Sequence, residues 1–286
     1  MNEKIIIASD STTDLGPELI ARYNVQILPL GVALGGTQYT DGVDIDPDYI
    51  YEYYEKNGEL PKTSAINLAA ASAFFESLVA DGSSVIFFSI SSQMSSTFQN
   101  VRLAAQDFDR VFVVDTQNLS TGGGLLVIKA AEMAAAGKRA EEIVAACEEA
   151  AACVDASFVI DSLEFLHKGG RCSAVAAFGA NLLKLKPCIV VRNGKMGVAK
   201  KYRGNFATVL QKYVAEQIGD ASDIDPSHVF ITHAGCAPEI YEACINTVKE
   251  LAPFKEVHLT RAGCTISSHC GRNTLGVLFI RNAPLN

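Results

Sequence analysis

Short apolar runs recur along the chain, each closed by a cluster of hydroxyl, acidic or glycine residues and then by apolar positions at helical spacing. This repeated order of strand, polar loop and helix predicts an α/β fold with a mostly parallel sheet. Lys4 to Ala8 reads as the first strand and ends in Ser9-Asp10-Ser11-Thr12-Thr13-Asp14. Pro17 then opens a helix through Tyr23, at a first-turn position where its missing N–H costs little. Val25 to Leu30 is a second strand running on into Val32-Ala33-Leu34, and Gly35-Gly36 turns the chain back through Thr37 to Tyr39. Asp46-Pro47 caps and starts a helix that Gly58 and Pro61 end. Lys62-Thr63-Ser64 leads into an alanine-rich helix from Asn67 to Ala80. Val85 to Phe88 and Val111 to Val114 are continuous apolar runs, as buried strands are. Helical spacing follows each of them, with a further helix expected over 140–152.

The texture changes near residue 155. Phe158-Val159-Ile160 and Phe165-Leu166 flank polar residues, and His167-Lys168-Gly169-Gly170-Arg171 comes next. Cys188 to Val191, Asn193-Gly194 and Met196 to Ala199 spell a hairpin, because Asn-Gly suits a type I′ turn. Strand signals at Val229–Thr232, Val257–Leu259 and Val277–Ile280 alternate with helices. Two α/β domains are therefore expected, residues 1–155 and 156–286, with no repeat or flexible linker between them.

With 286 residues, 49% hydrophobic and 20% charged, the chain has the make-up of a folded globular protein. Its net charge of −8 argues against a general nucleic-acid binder, which needs a basic face. No run approaches the roughly 18 apolar residues of a membrane span, and Ile5-Ile6-Ile7 is too short for a secretory signal, so a cytoplasmic location is expected. None of the eight cysteines forms a Cys-x-x-Cys pair, which points to reduced, buried thiols. His233 with Cys236, and His269 with Cys270, have ligand chemistry but not the paired spacing of a zinc site, and no metal is expected.

Four polar clusters share one address beside strands and helix starts: Asp10-Ser11-Thr12, Thr63-Ser64, Ser91 to Thr97, and Asp115 with Ser120. Parallel strands deliver their carboxyl ends to one edge, where open α/β sheets bind ligands. Helix capping accounts for the same residues, and the two roles are compatible. Gly122-Gly123-Gly124 permits close backbone approach to an anion or an apolar tail, yet matches neither the dinucleotide fingerprint nor the P-loop. A Gly-x-Ser-x-Gly elbow is missing. His269 has the chemistry of a base or donor and equally that of a structural histidine. Arg171 reads as a brace or a surface charge. Lys200-Lys201-Tyr202-Arg203-Gly204 is a local basic patch on an acidic protein, suited to docking a partner or to a solvated strand end.

Together these clusters resemble the DegV family of bacterial fatty-acid-binding proteins over nearly the whole chain. Asp10-Ser11-Thr12-Thr13-Asp14-Leu15 is similar to the family's opening Asp-Ser-x-x-Asp-Leu, and Pro29-Leu30 and Tyr39-x-Asp41-Gly42-x-Asp44 follow in order. Thr63-Ser64, Ile90-Ser91-Ser92-x-Met94-Ser95-Ser96-Thr97-Phe98-Gln99 and Asp115-Thr116-x-x-x-Ser120-x-Gly122-x-Gly124 resemble further family blocks. Leu163-Glu164-Phe165-Leu166-x-Lys168-Gly169-Gly170-Arg171 is the most specific. The resemblance implies a two-domain fold, with a mixed sheet in the second domain, holding one long-chain fatty acid. The carboxylate would lie near Thr63, Ser64, Ser95 and Ser96, supported by Ser120, Arg171 and His269, and the tail in residues 1–155. It also implies a carrier without chemistry or cofactor of its own. The carrier presents the acid to a separate fatty acid kinase, docked through a basic residue such as Arg203, for acyl phosphate and phospholipid synthesis. The chain departs from the family pattern at Ala65-Ile66, where Gln-Pro is common, at Ser96 in place of Gly, and at Cys270 with Arg272-Asn273-Thr274.

The energetics suit a carrier. A tail of roughly 15 methylenes contributes on the order of 12 kcal/mol before association costs. Each hydrogen bond to the carboxylate adds about 1.5–3 kcal/mol. The competing expectation is an acyl- or phosphate-ester enzyme with His269 as base and a loop serine as nucleophile.

Overall fold

The computed structural model describes residues 4–172, 185–219 and 221–285. Its first part contains β1 (Ile5–Asp10), α1 (Pro17–Tyr23), β2 (Gln26–Leu28), β3 (Gly31–Leu34), β4 (Thr37–Thr40), α2 (Pro47–Asn57), β5 (Lys62–Ser64) and α3 (Leu68–Val79). It continues with β6 (Ser84–Ser89), α4 (Thr97–Ala105), β7 (Val111–Asp115), α5 (Thr121–Ala135) and α6 (Ala140–Ala151). Strands in the order β2-β1-β6-β7 make a parallel sheet. Every residue of β6 is buried, because helices cover both faces of such a sheet. Alternate side chains serve the two sides. Phe75 and Val101 pack with Val85 and Phe87 on one face, and Leu126 and Ile143 pack with Ile86 and Phe88 on the other.

Two expectations change here. The run from Val25 to Leu34 is not one strand: Pro29, which lacks an N–H, separates β2 from β3, and β3 leaves the parallel sheet. The segment Lys62–Ser64, expected only as a lead-in to a helix, is strand β5. It pairs antiparallel with β3 and places Thr63 opposite Val32 in the small sheet β4-β3-β5.

The second part contains β8 (Val154–Ile160), α7 (Glu164–Gly169), β9 (Leu185–Arg192), β10 (Lys195–Arg203), α8 (Phe206–Ile218), β11 (Ile224–Ala234), α9 (Pro238–Leu251), β12 (Glu256–Arg261), α10 (Cys264–Cys270) and β13 (Thr274–Arg281). The strands form a mixed sheet, β10-β9-β8-β13-β11-β12, in which β11 and β12 are parallel and the other pairs antiparallel. Asn193 (φ 51°) and Gly194 (φ 76°) both take the positive φ that a type I′ turn demands.

Tyr213 and Val248 pack with Val229 and Phe279 on one face of this sheet. On the other face Ile189, Phe230 and Leu278 join Leu125, Leu126 and Ile128 in a single core. Helix α5 thus lies between the two sheets, which explains why it is buried from Thr121 to Ile128. Its glycines serve this packing. A Cβ on Gly124 would lie 2.9 Å from Leu15 Cδ2 and 3.0 Å from the Thr13 carbonyl, and one on Gly122 would lie 2.3 Å from Asn118 Oδ1. The close approach expected of the glycine run is therefore made by neighbouring protein. Among the described residues no helix is long and apolar enough to cross a membrane.

Candidate functional site

The acidic residues near the ends of the first strands act as braces. Asp10 accepts hydrogen bonds from Thr12 N (3.0 Å), Thr12 Oγ1 (2.5 Å), Ile90 N (2.8 Å) and Ser89 Oγ (3.3 Å), tying the end of β1 to that of β6. Burial raises its pKa, and these donors oppose the rise. Asp14 and Asp41 receive the N-terminus of α10, whose first N–H groups lack partners within the helix. Gly263 N donates to Asp14 Oδ1 (2.8 Å), while Cys264 N and Thr265 N donate to the two oxygens of Asp41 (2.8 and 3.1 Å). Ser11 Oγ also donates to Asp41 (2.9 Å), and Ser120 Oγ donates to Asp14. Burial holds Asp14 well above the usual carboxylate range.

So anchored, α10 presents His269 to β5. Thr63 Oγ1 lies 2.9 Å from His269 Nε2. The other ring nitrogen, Nδ1, is buried without a hydrogen-bond partner and faces Gly169, where a Cβ would sit 2.5 Å away. Burial and the nearby Arg171 guanidinium lower the His269 pKa to about 4, so the ring is neutral at neutral pH. Arg171 itself is exposed and donates to the Gly169 carbonyl at 2.7 Å.

In the hydroxyl-rich loop after β6, Ser95 Oγ donates to Thr97 Oγ1 (3.0 Å) and accepts from Thr97 N (3.1 Å). Ser96 is exposed, and although it stands at the helix cap its side chain caps nothing. Ser95 does that work, accepting from Thr97 N, which leaves Ser96 without a capping role. Ser120 takes an unusual backbone conformation (φ 50°) as it turns into α5.

Thr63, Ser64, Ser95, Ser96, Ser120, Arg171 and His269 all line one cavity of about 320 Å³. This volume is at the lower end of the roughly 300–1,000 Å³ usual for small-molecule sites. Leu30, Ile90, Met94 and Leu119 supply apolar wall from residues 1–155. Phe158, Leu166, Met196, Ile266 and Leu278 supply the rest, so the apolar wall is shared by both parts of the chain. Arg203 stands apart, exposed at the end of β10, in a surface groove with Lys200, Lys201 and Lys212.

Several contributors escaped the sequence pattern. Thr232, Thr265 and His233 line the cavity, and Thr265 Oγ1 is buried without a hydrogen-bond partner. Thr232 and His233 are signalled only as polar residues ending an apolar run and Thr265 only as a hydroxyl at a helix start, patterns too common to single them out. The ligand-like pairs on paper each have hydrogen-bond partners within the protein. His233 Nδ1 accepts from Cys236 N (3.2 Å), Cys236 Sγ donates to the Thr274 carbonyl (3.3 Å), and Cys270 Sγ to that of Gly271 (3.7 Å). Burial pushes both thiols up to about 12, so they stay protonated.

A cavity with an apolar wall and uncharged hydroxyls grouped with one arginine has the chemistry to receive a long apolar group ending in an anion. The family model described as "Uncharacterised protein, DegV family COG1307" matches residues 4–282. A DegV domain-containing protein of Caldanaerobacter subterraneus subsp. tengcongensis is 31% identical over 285 residues, covering 97% of this chain and 99% of that one. Among solved structures, a Thermus thermophilus DegV family protein described for its fatty acid binding superimposes with a TM-score of 0.88 at 30% identity, covering 97% and 99% of the two chains. A stearic acid-binding protein of Eubacterium ventriosum gives 0.83 at 26% identity, covering 96% and 98%.

Proposed function

The chain belongs to the DegV family, and from that membership and the chemistry of the cavity we propose that it carries a long-chain fatty acid. The observation that supports this most directly is the cavity itself, where neutral hydroxyls and an apolar wall meet in one enclosure. Thr63, Ser64, Ser95 and Ser96 hold the carboxylate in this reading. With the proton on Nε2, His269 donates to Thr63 and leaves the Thr63 hydroxyl proton free for the acid. Ser120 and Arg171 complete the polar network. Neutral donors bind the carboxylate without the desolvation cost of a buried cation, and leave it available for transfer to another protein.

The acid is then presented to a separate fatty acid kinase for acyl phosphate formation and phospholipid synthesis, in the cytoplasm and without a cofactor. The exposed basic groove containing Arg203 supports a docking role toward an acidic surface. The test is extraction of protein purified from bacteria, followed by mass spectrometry and uptake of added stearate. One fatty acid per chain is expected; an empty pocket that takes up none overturns the proposal.

The Thr63–His269 contact also has the form of a hydroxyl paired with a base, which favours a second reading as an acyl- or phosphate-ester enzyme. Two facts weigh against it. His269 is a weak base, and its Nδ1 has no carboxylate to orient it among the described residues. Ester turnover by the protein alone, abolished in His269→Ala, would establish the enzyme instead.

A further inference from the structure

Away from the cavity, titratable side chains from four elements meet where β11 and β12 face α1 and α5. In the parallel register His228 pairs with Glu256 and Phe230 with His258, so all four side chains share one face of the sheet. His228 Nδ1 lies 3.1 Å from His258 Nε2, and Glu256 Oε2 lies 3.7 Å from that same nitrogen. The ligand atoms of the three residues all fall within 4.8 Å of one another. Each imidazole side chain is only 11% exposed. His228 Nε2 meets Glu132 Oε1 at 3.1 Å, and Arg22 donates to both oxygens of Glu256 at 2.6 and 2.7 Å. The rings are held in place by stacking, His228 on His258 with centroids 5.3 Å apart and Phe230 on His258 at 4.6 Å.

We propose that His228, His258 and Glu256 form a binding site for a divalent transition-metal ion of the Zn²⁺ type. Two imidazole nitrogens on one tetrahedral ion, at about 2.0–2.1 Å each, stand about 3.3 Å apart. The separation of 3.1 Å is therefore already close to that spacing, and the rings need to turn toward the shared ion rather than move apart. Glu256 closes the remaining distance by rotating its carboxylate, keeping Arg22 on a second lone pair. Glu132 supplies what metal-bound histidines ordinarily have, a carboxylate on the far ring nitrogen that fixes the tautomer. Three protein ligands leave room for water at the remaining position. Two imidazoles and one carboxylate suit a borderline ion, and are a poor set for Mg²⁺ or Ca²⁺, which take oxygen ligands. Glu132 lies on α5 and Arg22 on α1, so the site sits where the first part of the chain packs on edge strand β12 and its neighbour β11. Arg22 shares Glu256 and sets the affinity below that of a site without a competing cation.

In the absence of an ion the same atoms pair with one another, His228 Nδ1 with His258 Nε2 and His228 Nε2 with Glu132. The experiment decides between the two. The full chain, stripped with a chelator and kept reduced, is titrated with Zn²⁺ by calorimetry and with Co²⁺ by absorption spectroscopy. One ion per chain is expected, with a Co²⁺ spectrum of nitrogen and oxygen ligands. His258→Gln and Glu256→Gln should each weaken binding about 100-fold or more, and Glu132→Gln about 10–100-fold, as outer carboxylates do. Glu132 is half exposed, so its variant tests the site even if the histidine variant does not fold. Three results overturn the proposal: no stoichiometric binding, undiminished binding in folded His258→Gln or Glu132→Gln protein, or a sulfur-to-cobalt charge-transfer band that puts the ion on cysteine.

Discussion

Thr63 Oγ1 and His269 Nε2 lie 2.9 Å apart although 206 residues separate them. The contact joins β5, in the small sheet of the first part, to α10, in the second. Disturbing either partner therefore tests the cavity and the assembly of the fold together.

Thr63→Val and Ser95→Ala each remove one neutral donor from the proposed carboxylate site. Each should weaken fatty-acid binding by about 1.5–3 kcal/mol, roughly 10- to 150-fold. Each should also lower the unfolding midpoint, Ser95→Ala by about 1 kcal/mol of stability for the lost cap and Thr63→Val by about 1–3 kcal/mol for the His269 nitrogen left unpaired. Ser96→Gly is the contrast, since the Ser96 side chain makes no cap. It should shift stability by only a few tenths of a kcal/mol. Titration with a fluorescent fatty acid and urea unfolding measure both quantities, and equal affinity in Thr63→Val and wild type would remove Thr63 from the site.

Asp41 lies outside the cavity lining but holds the start of the helix that carries His269. Asp41→Ala leaves two backbone N–H groups and the Ser11 hydroxyl without their partner. A loss of about 2–3 kcal/mol in urea unfolding is expected, accompanied by weaker ligand uptake. Undiminished stability would mean that α10 is positioned by its packing alone.

Gly169→Ala puts a methyl group 2.5 Å from His269 Nδ1, closer than any real contact allows. The ring must move away, at a cost of about 1–3 kcal/mol. The variant should resemble Thr63→Val in ligand affinity without touching a hydroxyl. Wild-type affinity would show that the ring has room to shift without losing Thr63.

The pH dependence follows from His269, whose pKa falls from 6.5 to about 4 on folding. Above about pH 6.5 neither the folded nor the unfolded chain holds this proton, and the group is without effect. Between 6.5 and 4 the unfolded chain binds it and the folded chain does not, so stability falls as the pH falls and the loss is complete below about 4. His233, also lowered to about 4 by burial, adds a loss of the same sign. His269→Gln should lose less stability than wild type between pH 7 and pH 5 in urea unfolding. Parallel curves for the two proteins would contradict the buried, neutral state of this ring.

Local patterning is enough for much of the chain. The continuous apolar run at Val85–Phe88 becomes strand β6, buried throughout because it is covered on both faces, while the run at Val111–Val114 becomes β7, a half-buried strand at the edge of the sheet. Asn193-Gly194 produces its hairpin because both residues tolerate positive φ. Pro47 and Pro238 stand at helix starts, where a missing N–H is harmless. Clusters at strand ends were legible as well, since strand direction alone brings them to one edge. The role of each residue within a cluster was not. Asp10 and Asp41 look like ligand contacts in a list of polar residues, and only their N–H partners reveal them as braces.

What the sequence by itself determined is the succession of elements, the hairpin at Asn193-Gly194 and the hydroxyl groups available near strand ends, because each depends on a few neighbouring residues. Tertiary structure decided the rest. Burying α5 between two sheets requires both parts of the chain to share one core, and the cavity forms where their walls meet. His228, Glu256 and His258 come together only through the register of two parallel strands joined by a helix. No spacing of 28 or 2 residues along a chain signals such a cluster. The partners of a strand are set by the whole sheet, and local sequence carries no record of them.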